Sequence, residues 1–157
     1  MQTVTLVLLP GMDGTGLLFE PLLKALPTYI KPKIVAYPTD RPLGYSELKK
    51  LVCSQLPKGA PFFILGESFG GPLAIMTAAE RPPGLKGVIL CCTFARAPVH
   101  LPLPKFLALF GFYMFRLLPK RARYRVLDTQ PTQLVLDLQK QVQEAQAPRV
   151  WPKRASA

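Results

Sequence analysis

The sequence has little histidine and little cysteine. Its 157 residues include one histidine and three cysteines, Cys53, Cys91 and Cys92. The cysteines are odd in number and lack the spacing of a zinc site or of a thioredoxin-type redox motif. We therefore predict no cysteine-based metal site and no disulfide framework, and we expect reduced, mostly buried thiols in a cytoplasmic protein.

A signal peptide and a membrane-spanning segment are also missing from the pattern. The initial methionine is followed almost at once by the apolar run TVTLVLLP, without the basic segment of a secretory signal. The longest apolar stretch, residues 103–118, is interrupted by proline, glycine and two basic residues. It is shorter than the ~20 residues that a spanning helix needs, so no transmembrane segment is predicted.

Acidic residues are scarce relative to basic ones, nine against 20, and the net charge is +11. The excess lies in the second half and is densest in PKRARYR, residues 119–125. A solvated basic face is the simplest interpretation of this segment. The alternative is a docking surface for an acidic carrier protein or an anionic membrane. Nucleic acid has only the charge in its favour, and we do not predict it as a partner.

Apolar runs alternate with segments of helical periodicity over the first 93 residues. The apolar runs are continuous, which is typical of strands in a parallel sheet that is covered on both faces. The order β-α-β-α-β-α-β predicts an α/β fold with a doubly wound, mostly parallel sheet. The predicted strands are 4–9, 33–37, 62–65 and 87–92, and the predicted helices are 17–26, 46–56 with Ser46 as N-cap, and 72–80.

This rhythm stops after Phe94. Residues 98–125 are rich in proline, aromatic and basic residues, and they include the apolar segment FLALFGFYMF. A helix that is apolar all round must be buried, cover a pocket or contact lipid, so this segment is a candidate acyl-chain pocket or simply core. Residues 131–146 predict one further helix, with Leu134, Leu138 and Val142 on one stripe.

A serine between glycines, Gly66-Glu67-Ser68-Phe69-Gly70, fits the pattern G-x-S-x-G. A predicted strand precedes it and a predicted helix follows, which is the arrangement of a nucleophile elbow. Crowding at such a turn favours glycine two residues to either side of the serine. We predict Ser68 as a nucleophile and the Phe69 N–H as an oxyanion donor. The alternative is a glycine-rich turn in which Ser68 only caps the helix.

A second glycine-rich loop, LLPGMDGTG, follows the first predicted strand. It matches neither the dinucleotide fingerprint nor the phosphate-binding loop of nucleotide-binding proteins. The carboxyl ends of parallel strands share one edge, so this loop can meet the elbow. We predict the Met12 N–H as the second oxyanion donor and Asp13 as a turn former.

Four segments together resemble a known family: LLPGMDGTGLLFEPLLKALP, VAYPTDRPLGYSEL, FFILGESFGGPLAI and RPPGLKGVILCCTFARAP. They look like the amino-terminal half of an α/β-hydrolase of the small bacterial esterase type, similar to pimeloyl-carrier methyl esterases. The resemblance implies hydrolysis of a small acyl ester (or thioester) through a Ser68 acyl-enzyme, with Met12 and Phe69 supplying the oxyanion hole. It implies no metal and no cofactor. It also implies a core over residues 1–97, a partial helical cap over 98–147 and an irregular basic tail over 148–157.

The chain departs from this family's pattern after the cap. Family members take an acid and then a histidine from late in the chain, whereas His100 is the only histidine here. We therefore expect a hydrolase truncated before its last strands, inactive as given unless His100 serves as the base. An exposed edge at 87–92 predicts self-association. The alternative function is a non-catalytic acyl- or partner-binding module that uses the basic cap segment.

Overall fold

The computed structural model describes residues 3–95 and 133–145. Within these ranges strands and helices alternate along the chain, as the apolar pattern predicts. A 3-10 helix, Leu17–Phe19, leads directly into the first α-helix. The strands are β1 (Val4–Leu9), β2 (Ile30–Ile34), β3 (Phe62–Glu67) and β4 (Leu85–Cys91), and the α-helices are α1 (Glu20–Ala25), α2 (Tyr45–Gln55), α3 (Gly70–Ala79) and α4 (Gln133–Ala145).

The four described strands form one parallel sheet in the order β2-β1-β3-β4. The central strand β1 pairs on both sides, so that Leu8 lies opposite Ile34 of β2 and Leu65 of β3. The chain moves outward from β1 first to one edge and then to the other, which makes a topological switch point between β1 and β3. The predicted α/β fold with a doubly wound parallel sheet is confirmed.

Two separate apolar cores cover the two faces of the sheet. Alternate residues of β1 point to opposite faces, so Leu6 and Leu8 join one core while Val7 and Leu9 join the other. The 3-10 helix and α1 pack on the first face through Phe19, and α2 and α3 pack on the second face. The second core also includes buried residues Val35, Tyr37, Leu48, Val52, Phe62, Ile64, Phe69, Leu73 and Ala74.

Helix α2 buries the face that its periodicity predicts, with Leu48 and Val52 fully buried. Its start differs from the prediction, because the helix begins at Tyr45 and Gly44, not Ser46, is the N-cap residue. The carboxylate of Glu47 accepts a hydrogen bond from the Gly44 N–H at 3.0 Å. A glutamate at the third helical position thus stabilises the start of the helix without a capping hydroxyl.

The prediction of a buried strand at 33–37 is wrong. The strand β2 runs over Ile30–Ile34, and the three residues at its centre are exposed. Val35 and Tyr37 are buried beyond the strand's end, where the Tyr37 N–H donates to the carbonyl of Gly14 at 2.7 Å. An edge strand of the sequence IKPKI suits its position, since proline and lysine discourage pairing with another chain.

The other edge of the described sheet, β4, is apolar and exposed. Ile89 is 46% exposed and Leu90 is 50% exposed. Cys91 and Cys92 are exposed as well, so the expectation of mostly buried thiols is wrong for these two residues. The continuous run GVILCC resembles a buried strand, but no described strand lies on its outer side.

Helix α4 lies beside the 3-10 helix. Its predicted stripe is partly confirmed, because Leu138 and Val142 are buried while Leu134 is 45% exposed. The rest of the predicted cap over 98–147 and the tail over 148–157 lie outside the described residues, so the domain boundaries stay predictions. Among the helices of the described part, none is long and apolar enough to cross a membrane.

Candidate active site

Ser68 lies at the sharp turn between β3 and α3. Its φ is 49°, in the left-handed region that residues other than glycine rarely adopt. The turn places Ser68 half-buried at the carboxyl edge of the sheet, next to the first turn of α3. A strained backbone of this kind persists only where contacts with the surrounding residues fix it. Such positions cluster at functional sites.

The glycines on either side of Ser68 leave no room for a side chain. A Cβ on Gly66 would lie 2.6 Å from the carbonyl oxygen of Gly70, and a Cβ on Gly70 would lie 2.7 Å from the carbonyl oxygen of Pro10. These neighbours are backbone atoms, which cannot move aside as a flexible side chain can. The crowding that the sequence pattern predicts at positions 66 and 70 is therefore observed.

The last residue of β4 and a residue just after the strand hold the backbone of Ser68 in place. The Ser68 N–H donates to the carbonyl of Cys91 at 3.0 Å, and the Thr93 hydroxyl donates to the carbonyl of Ser68 at 2.5 Å. The same Ser68 carbonyl accepts a hydrogen bond from the Gly71 N–H at 3.1 Å. The N-cap residue of α3 is Phe69, without a side-chain capping hydrogen bond. The alternative role of Ser68 as a helix cap is thus not observed.

Phe69, directly after Ser68, is fixed by two tyrosines. Its buried ring stacks on Tyr45 with 4.5 Å between ring centroids and meets the edge of Tyr37 at 6.3 Å. Burial raises the pKa of Tyr45 to about 12, so its hydroxyl keeps its proton at neutral pH. The Phe69 N–H lies at the start of α3, where backbone N–H groups have no partner within the helix. A developing negative charge is favoured at this position.

The loop after β1 meets the elbow, because Leu9 pairs with Gly66 in the sheet. The Gly14 N–H closes a turn by donating to the carbonyl of Gly11 at 3.1 Å. The carboxylate of Asp13 accepts hydrogen bonds from the N–H and the hydroxyl of Thr15, at 3.0 Å and 2.6 Å. This is the turn-forming role predicted for Asp13, and Met12, half-buried in the same turn, packs against the second core.

Glu67, directly before Ser68, links the two loops. Its carboxylate oxygen lies 2.5 Å from the position of a Cβ on Gly11, and a cavity of about 170 Å³ lies between Glu67, Gly11 and Asp13. Burial and then the charge of Asp13 raise the pKa of Glu67, and a hydrogen bond from the Gly11 backbone partly offsets this. The sequence pattern predicts no role for Glu67, and its position inside the G-x-S-x-G motif is the one signal that points to it.

An open groove of about 650 Å³ runs along the loops that follow β1 and β2. Leu17, Ala36 and Pro38 supply apolar wall, Thr15 and Asp40 supply polar wall, and Ser68 is not part of the lining. The apolar segment at 106–115, predicted as a candidate acyl pocket, lies outside the described residues. The groove therefore borders the loop that follows β1, and Ser68 lies outside its lining.

The candidate base, His100, also lies outside the described residues, and it is the only histidine of the chain. The structure thus brings together Ser68, Phe69 and the Met12 loop, while the position of a base stays a prediction. Among residues 3–95 and 133–145, no group of three or more histidine, cysteine or acidic residues is arranged to hold a metal ion.

The protein family of the chain follows from a match to a family model. A family model described as serine aminopeptidase, S33 (Hydrolase_4) matches residues 45–156. The chain belongs to this α/β-hydrolase family. The matched range includes the elbow but not the Met12 loop, and the finer resemblance to pimeloyl-carrier methyl esterases stays a prediction.

Individual relatives agree with this family assignment. The chain is 34% identical over 110 residues to phytyl ester synthase 1, chloroplastic, from Arabidopsis thaliana, which is 64% of this chain and 16% of that protein. It is 56% identical over 32 residues to human monoglyceride lipase, which is 20% of this chain and 11% of the lipase. The chain therefore spans only a small part of the length of these relatives.

A solved structure shows the same fold. ClbQ from the colibactin NRPS/PKS pathway superposes with a TM-score of 0.55 at 13% sequence identity. The match covers 92% of this chain and 65% of ClbQ. At this identity the likeness supports the fold alone.

Proposed function

We propose that the chain is the nucleophile-bearing part of a serine hydrolase that cleaves carboxylic esters (or thioesters) through an acyl-enzyme on Ser68. The observation that carries this proposal is the strained conformation of Ser68, with φ of 49°, between a parallel strand and a helix start. Strain is tolerated here because the flanking glycines and Thr93 fix the turn. Ser68 is not the N-cap residue of α3, and a serine with this backbone between a strand and a helix is typical of a nucleophile elbow.

The mechanism begins with attack of the Ser68 hydroxyl oxygen on the substrate carbonyl carbon. The carbonyl oxygen becomes an oxyanion, which the N–H groups of Phe69 and Met12 stabilise. Collapse of this intermediate expels the alcohol or thiol, which takes up the proton released by Ser68, and leaves the acyl group on Ser68. Water then attacks the acyl carbon, and the acid is released as the Ser68 hydroxyl is restored.

Both steps need a base to accept a proton, and a neutral imidazole is the usual one. His100 is the only imidazole in the chain, so we propose it as the candidate base. A well-placed base contributes about 10²–10⁴-fold to the rate. If His100 does not reach Ser68, we expect the chain to turn over esters slowly or not at all while still presenting a formed elbow.

The proposed substrate is a small acyl ester, and we propose no metal or cofactor. The names of the two relatives, a phytyl ester synthase and a monoglyceride lipase, both refer to carboxylic esters. The family description names an aminopeptidase, whose substrates are amides, so an amide must be included in any test. The basic segment 119–125 lies outside the described residues, and an acidic carrier protein and a cytoplasmic location stay predictions.

The deciding experiment measures hydrolysis of short and medium p-nitrophenyl esters by the purified chain, with p-nitroanilides as the amide substrates. Ser68→Ala and His100→Ala are the test variants, and Ser46→Ala, at an exposed serine of α2, is the matched control. Turnover that is lost in both test variants and kept in the control would support His100 as the base. Turnover that survives in Ser68→Ala would overturn the proposal.

Covalent labelling separates a formed elbow from an active site. The chain is incubated with a reactive acyl or phosphonyl fluoride, and the modified residue is located by mass spectrometry of peptides. Slow labelling at Ser68, without ester turnover, would support a formed elbow that lacks its base. Labelling elsewhere, or none in a folded sample, would count against Ser68 as the nucleophile.

A further inference from the structure

Tyr37 is a buried residue in the loop that follows β2. The strand ends at Ile34, so no strand pairing accounts for the burial of Tyr37. Its hydroxyl donates a hydrogen bond to the carbonyl of Pro10 at 3.0 Å, and its backbone N–H donates to the carbonyl of Gly14 at 2.7 Å. A single residue therefore binds the loop after β1 at two points.

The two bound carbonyls flank the turn that carries Met12. The Gly14 N–H donates to the carbonyl of Gly11 at 3.1 Å and closes this turn, so Met12 and Asp13 are its central residues. Among the described residues no peptide bond is cis, so the one between Gly11 and Met12 is trans. In a planar trans peptide the N–H points away from the carbonyl. The hydrogen bond that holds the Gly11 carbonyl inside the turn therefore directs the Met12 N–H outward.

The side chain of Tyr37 also contacts the residue that carries the other proposed oxyanion donor. Its ring meets the ring of Phe69 edge to face, with 6.3 Å between centroids and 64° between planes. The Pro10 carbonyl, which accepts the Tyr37 hydroxyl, lies against the elbow as well, since a Cβ on Gly70 would be 2.7 Å from its oxygen. Tyr37 thus contacts both the turn and the elbow at the place where the two meet.

We propose that Tyr37 is a positioning residue of the hydrolase site, which fixes the Met12 N–H relative to the Phe69 N–H. This role rests on the proposed function, because the two N–H groups act together only if an oxyanion forms between them. Such donors stabilise an oxyanion when they are held in place before the reaction. A displacement of about 1 Å lowers a rate by about 100-fold, so the Tyr37 hydroxyl affects the rate without touching the substrate.

One substitution isolates the hydroxyl from the rest of the side chain. Tyr37→Phe keeps the ring contact with Phe69 and the backbone hydrogen bond to Gly14, and it removes only the donor to the Pro10 carbonyl. Tyr29→Phe is the matched control, because it removes the hydroxyl of an exposed tyrosine. Leu22→Ala controls for stability, since Leu22 packs in the core on the other face of the sheet from Tyr37.

Amide hydrogen exchange of the full chain measures whether the hydroxyl holds the turn. The Gly14 N–H closes the turn, and it should exchange about tenfold faster in Tyr37→Phe, the effect of losing one buried hydrogen bond. It should keep the parental rate in Tyr29→Phe and in Leu22→Ala, because opening of the turn is local. Equal acceleration in Leu22→Ala, or no acceleration in Tyr37→Phe, would overturn the proposal.

Labelling of Ser68 by a phosphonyl fluoride measures whether the turn affects the site. The Ser68 oxygen displaces fluoride, and the phosphonyl oxygen takes the place of the oxyanion. In Tyr37→Phe the rate constant at saturating reagent should fall about 10–100-fold. The reagent concentration that gives half of this rate should stay that of the parent, because the ring that lines the groove is kept. Tyr29→Phe and Leu22→Ala should label as the parent does.

The outcomes separate failure of this proposal from failure of the proposed function. Faster exchange at Gly14 together with slower labelling, both confined to Tyr37→Phe, would support the positioning role. No labelling of Ser68 in the folded parent would overturn the proposed function, and the role of Tyr37 with it. Labelling of the parent and of Tyr37→Phe at one rate would overturn the positioning role alone. Equally slow labelling in Leu22→Ala would assign the effect to stability and would also overturn that role.

Discussion

The hydroxyl of Thr93 donates a hydrogen bond to the backbone carbonyl of Ser68, across the ends of two neighbouring strands. This hydrogen bond requires glycine at position 71, because a Cβ on Gly71 would overlap the Thr93 side chain. With the Ser68 N–H bound to the carbonyl of Cys91, both polar groups of the Ser68 peptide backbone are held by the segment that ends β4. The conformation of the proposed nucleophile therefore depends on residues about 25 positions further along the chain.

Replacing the Thr93 hydroxyl should weaken the elbow. Thr93→Val keeps the shape of the side chain but removes the donor to the carbonyl of Ser68, in a partly buried place. We expect the free energy of unfolding to fall by about 1–2 kcal/mol. Urea unfolding followed by circular dichroism measures this change, and the Ser68 amide resonance should shift as well.

The matched control is Thr93→Ser, which keeps the hydroxyl and removes only a methyl group. It should retain most of the stability and the Ser68 amide resonance of the parent. Equal losses in Thr93→Val and Thr93→Ser would assign the effect to packing of the methyl group and would contradict a role for the hydrogen bond.

Glycine at position 66 should be irreplaceable. In Gly66→Ala the new Cβ would lie 2.6 Å from the carbonyl oxygen of Gly70 and 2.9 Å from the Cβ of Ala74, so β3 and α3 must separate. Overpacking of this kind costs about 1–3 kcal/mol or more. Gly44→Ala is the control, because a Cβ there lies 4.0 Å from its nearest neighbour. Similar losses of stability in both variants would contradict the crowding argument.

The central strands could be predicted from sequence because they are buried on both faces. The runs VTLVLL and FFIL have no polar face, and they form β1 and most of β3. The edge strands were harder for opposite reasons. In β2 the residues that pair with β1 have the polar sequence IKPKI. The buried apolar residues, Val35 and Tyr37, follow the strand and lie in a loop. In β4 the composition is that of a buried strand, and the exposed edge at 87–92 was predicted only from the family resemblance.

The elbow could also be predicted, since G-x-S-x-G between a strand and a helix has few other uses. The residues that hold the Ser68 turn in place could not be predicted. Tyr37, Tyr45 and Thr93 are distant in sequence, and no short motif connects them to Ser68. Their roles arise from the strand order, which brings the ends of β1, β3 and β4 to one place. Glu67 lies within the motif, but its effect depends on Asp13 of another loop.

Glu67 should make stability depend on pH. Burial beside Asp13 raises the pKa of Glu67 in the folded chain above its ordinary value of 4.5. Between that value and the raised pKa, the folded chain binds more protons than the unfolded chain does. The free energy of unfolding contributed by Glu67 is therefore highest at low pH and falls as the pH rises through this window. Glu67→Gln should remove this fall, as urea unfolding at a series of pH values would show.

The control for this titration is Glu20→Gln, which breaks an exposed ion pair with Lys24 on α1. An exposed pair contributes about 0–1 kcal/mol, so the slope between pH 4.5 and neutrality should stay that of the parent. If Glu67→Gln keeps the parental slope, the titrating group lies elsewhere, and the raised pKa of Glu67 from burial and the charge of Asp13 is wrong.

The apolar edge of β4 should support self-association of the purified chain. Leu90 is 50% exposed on an edge whose backbone groups have no described strand to pair with. Leu90→Lys places a charge there and should shift the population toward monomer, measured by sedimentation velocity over a range of protein concentrations. Lys31→Leu on the opposite edge is the converse test and should increase association. A parent chain that is monomeric throughout would contradict this prediction.

The strain at Ser68 should make a glycine variant more stable than an alanine variant, which reverses their usual order of stability. Its φ of 49° disfavours a Cβ, so Ser68→Gly should be more stable than Ser68→Ala by about 1 kcal/mol. At Ser54, an exposed position in α2, the order should be the ordinary one, with alanine about 0.5–1 kcal/mol more stable than glycine. Urea unfolding of the four variants measures both differences. Alanine favoured at both positions would mean that Ser68 relaxes in solution to an unstrained backbone, and the observation on which the proposed nucleophile depends would be lost.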